Sequence, residues 1–252
     1  MKLFVIGGSG LIGSRLVKLL QSVGHEVLAA SPRTGVNSIT GEGLSKALAG
    51  ASVVVDVSNA PSWEEQAVRE FFDKSTRNLL KEETAAGVKH HVALSVVGAD
   101  RLADSGYMKA KVVQEGLIKS SPVPYTILRA TQFMEFIPGI ADSFTSGDVA
   151  RVPTAGIQPI AADDVAAMLA DIAVEQPANG TLELGGPEPF QMDELVRQYF
   201  EATGVNREVV TDDESRYYGE RLQKKTLLPS PGARVGNIKL KEWVERSSEV
   251  KA

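Results

Sequence analysis

Cysteine does not occur in the 252 residues, which excludes disulfides, thiolate catalysis and zinc sites built on sulfur. Histidine is scarce: His25, His90 and His91 are the whole set, none spaced with carboxylates as a metal ligand. They read as edge and turn residues, and no metal is expected. Basic residues form no stripe, and 27 Lys and Arg against 32 Asp and Glu leave a net charge of −5, which argues against nucleic acid as a partner. Uninterrupted apolar runs stay below the roughly 20 residues of a membrane-spanning helix. Repeats and low-complexity tracts are missing too. The first residues enter an apolar segment directly and leave no room for a signal peptide, so the expected location is the cytoplasm. A small-molecule substrate is the expected partner, with neither nucleic acid nor membrane, and an oligomer is left open.

What the chain has in abundance is the material of a large α/β domain, with 43% apolar residues. The decisive stretch is Leu3-Phe4-Val5-Ile6-Gly7-Gly8-Ser9-Gly10-Leu11-Ile12-Gly13. Four apolar residues predict a buried parallel strand. Apolar residues at 12, 16, 19, 20 and 23 then mark one face of a helix. Between them the glycines fall at 7, 10 and 13. Lacking Cβ atoms, Gly7 permits the tight turn, Gly10 lets the backbone approach a pyrophosphate and Gly13 lets helix and strand pack closely. The amides of Ser9, Leu11 and Ile12 belong to the same turn, where the helix dipole favours phosphate.

A second strand, His25 to Ala30, is followed by Ser31-Pro32-Arg33-Thr34-Gly35. An NAD-selective fold places an acidic residue about 20 positions past the glycines, for the ribose 2′-hydroxyl. No carboxylate stands here. Ser31, Arg33 and Thr34 can instead surround a 2′-phosphate, the guanidinium pairing with it in bidentate fashion. The expected cofactor is therefore NADP(H), with NAD(H) as the alternative.

Further strands are expected at Ser52–Val57, Val88–Val97 and Tyr125–Arg129, giving a Rossmann-type, doubly wound parallel sheet. Ser58 and Asn59 follow the third strand and are candidates for cofactor contact. Ser62 and Glu65 have the spacing of a capping box for a helix from Trp63 to about Ala86, with Phe71 and Phe72 in the core. After about 133 the elements shorten, and the domain reading is a dinucleotide-binding core over 1–150. A mixed region over 151–252 completes the sheet and walls the substrate.

Ser95, Tyr107 and Lys111 carry the expected chemistry. Tyr107 and Lys111 lie one helical turn apart and share a face. Hydride transfer to a carbonyl needs a proton donor at the developing oxyanion. A phenol titrates near pH 10, and a nearby ammonium lowers that value. Lys111 can also hold the nicotinamide ribose, and Ser95, at a strand end, can position the substrate oxygen.

Gly-Gly-Ser-Gly-Leu-Ile-Gly at 7–13, Ser95, Tyr107-Met-Lys-Ala-Lys111 and Thr126-Ile-Leu-Arg129-Ala-Thr131-Gln-Phe133 together resemble the short-chain dehydrogenase/reductase superfamily, most nearly its atypical, NmrA-like branch. The likeness covers roughly residues 1–175. It implies NADP(H) across the strand ends, Ser95, Tyr107 and Lys111 as the catalytic triad, and Arg129, Thr131 and Phe133 near the nicotinamide. Ala130 departs from the family, many of whose members carry proline there. Several NmrA-like members have lost the tyrosine and act as redox-sensing regulators, whereas this chain keeps Tyr107. The expected function is NADP(H)-dependent reduction of a small carbonyl, quinone or similar acceptor. A non-catalytic NADP(H) sensor and a nucleotide-sugar epimerase or dehydratase are the alternatives.

Overall fold

The structure, a computed structural model, describes residues 1–102 and 104–249; residues 250–252 of the expected C-terminal region lie outside them. In chain order the elements are β1 (Lys2–Ile6), α1 (Leu11–Ser22), β2 (Glu26–Ala30), α2 (Leu44–Leu48), β3 (Val53–Asp56), α3 (Glu65–Ala86), β4 (His90–Val96), α4 (Gly106–Lys119) and β5 (Tyr125–Ala130). They continue with α5 (Ile137–Ser143), β6 (Thr145–Ser146), β7 (Val149–Val152), β8 (Gly156–Ile157), α6 (Ala162–Val174) and β9 (Gly180–Gly185). The last are β10 (Phe190–Gln191), α7 (Met192–Thr203), β11 (Glu208–Thr211), β12 (Arg234–Val235) and α8 (Leu240–Glu249).

The central sheet runs β2-β1-β3-β4-β5-β9-β12. β1 pairs in parallel with both β2 and β3, β3 with β4, and β9 with β12. This is a Rossmann-like, doubly wound α/β fold. The chain leaves β1 for β2 and then crosses back to β3, so strand order reverses between β1 and β3. Open parallel sheets bind ligands outside the carboxyl ends of the strands at such a reversal.

Two compact units share the chain: Met1–Arg129 with Val165–Leu182, and Ala130–Asp164 with Glu183–Ala252. In the first, Phe4, Ile6 and Val54 of the sheet pack against Leu44, Leu48 and Leu79. Helix α1 buries Ile12, Leu16 and Leu20, one row at four-residue spacing, while Leu19 and Val23, expected on that face, are exposed. Helix α3 starts at Glu65 rather than Trp63: Ser62 Oγ accepts the Glu64 N–H at 3.1 Å, closing a turn two residues on instead of capping the helix. Ser105 caps α4 by accepting the Met108 N–H at 3.4 Å.

The histidine pair is a correction. His90 and His91 are buried in β4, not set at an edge or turn. His90 Nε2 lies 2.9 Å from Thr126 Oγ1, and His91 Nδ1 lies 2.9 Å from both Glu83 oxygens. Buried polar rings need partners, and these come from β5 and α3.

In the second unit β11 and β6 flank β7, and β8 pairs with β10. Glu135 holds this unit together by accepting the Ala162 N–H and the Trp243 indole N–H.

Candidate functional site

The opening turn is shaped by glycines at two positions. Gly7 adopts φ +81, and a Cβ there would lie 2.7 Å from Val57 O and 2.8 Å from Ser58 Cα. A Cβ on Gly13 would stand 2.1 Å from Gly7 O. The turn thus presses on the end of β3 from one side and on the first turn of α1 from the other. Gly10 is the N-cap of α1, with no side-chain cap and no acidic residue in the first turn. Helix-starting amides without side-chain partners are an anion site. Ser9, Gly10 and Leu11 are exposed, whereas Ile12 and Gly13 are buried.

At the end of β2, Thr34 Oγ1 accepts the Ser31 N–H and donates to Ser31 O, both at 2.9 Å. Ser31 Oγ is buried and has no partner. Arg33, in the same turn, is exposed and has no partner among the described residues. An orphaned hydroxyl beside a free guanidinium suits a phosphate.

At the end of β3, buried Asp56 accepts the Ser58 N–H at 3.0 Å and the Ser58 hydroxyl at 2.6 Å on Oδ1. Its Oδ2 accepts Gln114 Nε2 at 2.9 Å. The Gln114 carbonyl in turn accepts Lys111 Nζ, which also donates to Leu94 O at 2.8 Å. Asn59 is exposed, its Oδ1 accepting the Ala60 N–H at 3.0 Å.

Tyr107 and Lys111 meet on one aromatic ring. The Phe72 centroid is 6.0 Å from the Tyr107 ring, edge-on, and 4.4 Å from Lys111 Nζ. Trp63, 77% exposed, lies with its ring centroid 5.6 Å from that of Tyr107. Burial pushes the Tyr107 phenol up to about 12, the reverse of the lowering expected from a nearby ammonium. Burial draws the Lys111 ammonium down to about 8, although Asp56 and Glu115 hold it up.

Ser95 and Arg129 meet on a different group. Ser95 Oγ donates to Glu115 Oε1 at 2.8 Å. Arg129 Nε and Nη2 clasp the same carboxylate, each at 2.8 Å, and Nη1 reaches Asp100 Oδ2 at 2.8 Å. In the second unit, Thr131 Oγ1 donates to Gln158 O at 2.5 Å, and Phe133 stacks on Phe136 at 5.5 Å.

A family model described as NAD(P)H-binding matches residues 7–176. The chain belongs to the NAD(P)H-binding family. Photosystem II assembly factor Ycf39 of Synechocystis is 28% identical over 153 residues, covering 55% of this chain and 47% of the relative. The chain spans about half the length of the curated relatives it matches. Two solved structures are similar in fold: MoeE5 in complex with UDP-glucose and NAD (TM-score 0.77, 19% identity, 100% of each chain), and a short-chain dehydrogenase/reductase superfamily protein from Agrobacterium tumefaciens with bound NAD (TM-score 0.74, 19% identity, 100% of this chain and 97% of that one).

The residues present fit the nicotinamide dinucleotide that the family binds: an uncapped helix start, a glycine turn closed against β3, and the unpartnered Ser31 hydroxyl. Sequence reasoning missed Asp56, Gln114 and Glu115. Two signals were available. Asp56 interrupts an otherwise apolar strand, and Lys111, Gln114 and Glu115 have the i, i+3, i+4 spacing of one helix face.

Proposed function

We propose that the chain is an NADP(H)-dependent oxidoreductase that reduces a small carbonyl, quinone or similar acceptor. One observation carries the reading: the phenol of Tyr107 and the ammonium of Lys111 are brought onto the same Phe72 ring by one turn of α4. The dinucleotide, when bound, supplies the hydride. Tyr107 gives its proton to the acceptor oxygen, and the two transfers together turn a carbonyl into an alcohol. With the phenol raised to about 12, that proton is in place at neutral pH. The Lys111 ammonium stabilises the phenolate left behind, and its remaining donor is available to the nicotinamide ribose. Preference for NADP(H) over NAD(H) rests on Ser31, Arg33 and Thr34 and the lack of a carboxylate beside them.

A second reading, a dinucleotide-responsive protein that works through a protein partner, has its own support. The Ser95 proton is committed to Glu115 and so is not offered to a substrate oxygen. The similarity to a factor named for photosystem II assembly points the same way.

Tyr107→Phe separates the two. The enzyme reading expects the variant to bind NADPH as the wild type does while losing turnover on a panel of quinones, aldehydes and ketones by about 10²-fold or more. Wild-type protein that binds NADPH, reduces no member of the panel and changes its partner binding with cofactor would establish the second reading.

A further inference from the structure

Lys111 and Asp56 are both buried, carry opposite charges and are not in direct hydrogen-bond contact. A single carboxamide joins them. Gln114 turns its carbonyl to the Lys111 ammonium and its NH2 to the Asp56 carboxylate. A flipped amide would set donor against donor at one end and acceptor against acceptor at the other, so both charges together dictate its orientation. The chain continues from Asp56 to both the backbone N–H and hydroxyl of Ser58. Ser58 is also the residue whose backbone meets the position of a Gly7 Cβ. A chain of hydrogen bonds, buried at Asp56, Gln114 and Lys111, therefore runs from Ser58, which packs against the glycine turn, to the ammonium on α4.

We propose that Gln114 and Asp56 are positioning residues for Lys111, holding its ammonium protonated and aimed along the face it shares with Tyr107. This rests on the role given to Lys111 above, but makes a claim that can be checked without turnover. Burial alone would strip the proton from an amine held this deep. Glu115 of the same helix also favours the charge, yet its carboxylate is already engaged by Arg129, Ser95 and Lys119. From β4, His91 is paired with Glu83 of α3 and is within electrostatic reach of Asp56. Tyr107 lies one turn away on α4 itself. Of these groups, Asp56 is the one tied to the ammonium through Gln114.

The test follows Lys111 by NMR in protein carrying 13C/15N-labelled lysine and glutamine, its signal identified as the one lost in Lys111→Met. In the wild type, the Gln114 side-chain amide signal is expected to move through the same titration as Lys111, with a midpoint near 8. Gln114→Met and Asp56→Asn should each lower that midpoint by about one unit or more. The double variant should shift the midpoint by less than the sum of the two single shifts, because Asp56 acts through Gln114. NADPH affinity should begin to fall at a correspondingly lower pH. A Gln114 signal indifferent to the Lys111 titration overturns the proposal without any variant, and so does a midpoint unmoved in a folded variant. Midpoints that shift in a protein reducing no acceptor would leave this inference standing while the enzyme reading fails.

Discussion

Arg129 grips Glu115 with two parallel hydrogen bonds, Nε to Oε1 and Nη2 to Oε2, each 2.8 Å long. The Glu115 carboxyl is the hub of the interior beside β5: burial would raise its pKa, but Arg129, Ser95 and Lys119 outweigh that and lower it. Removing Arg129 leaves the buried Glu115 charge only the Ser95 hydroxyl and the exposed Lys119 ammonium. Arg129→Met should therefore cost about 3–5 kcal/mol of folding stability, read as a lower denaturant midpoint. A loss confined to NADPH affinity, with stability unchanged, would show that the pair does not hold the fold.

Gly13→Ala places a methyl 2.1 Å from Gly7 O, where backbone meets backbone and no side chain can yield. The turn must open. The expected loss is on the order of 3 kcal/mol in stability, together with loss of dinucleotide binding by calorimetry. Wild-type affinity in the variant would separate the turn from the binding site.

Arg33 should discriminate the two dinucleotides. Its guanidinium is exposed and unpartnered beside the orphaned Ser31 hydroxyl. A charge-assisted contact is worth about 1.5–3 kcal/mol, so Arg33→Ala should weaken NADPH roughly ten- to a hundredfold. NADH affinity should barely change. Nicotinamide fluorescence titrations measure both, and equal losses would remove Arg33 from the 2′-phosphate.

His90 and His91 should give stability slopes of opposite sign. Burial, aided by the neighbouring His91, lowers His90 to about 4. The unfolded chain takes up this proton near 6.5, so the His90 contribution is lost as pH falls from about 6.5 towards 4. For His91, burial opposes the charge but the Glu83 carboxylate outweighs it and raises the pKa. Its contribution is whole below about 6.5 and is lost as pH rises through the folded value. Melting curves against pH check both: His90→Gln should flatten the acid side, and His91→Gln the opposite slope near neutrality.

The order of βα units, the glycine turn and the helix carrying Tyr107 and Lys111 were legible because their signals act over a few residues. Gly204 ends α7 with φ +69, a left-handed conformation that suits glycine at a helix end. Ser62 and Glu65 show the limit of such signals. The spacing of a capping box was there, but the Ser62 hydroxyl had a nearer backbone N–H to accept. The histidines failed for a related reason: a polar pair suggests a surface until a carboxylate on α3 and a hydroxyl on β5 satisfy it.

By itself the sequence determined the class of fold, the glycine turn between the first strand and helix, and the pairing of phenol with amine on one helix face. Apolar periodicity and glycine spacing are local, so they survive without knowledge of the fold. Only the tertiary structure decided where the charges go. Asp56 and Gln114 meet across 58 positions of chain, and Arg129 finds Glu115 across 14. Ser95 turns to Glu115, and the chain divides into two discontinuous units. A buried charge takes whichever partner the packed elements bring within about 3 Å, and that choice is made by the whole fold at once.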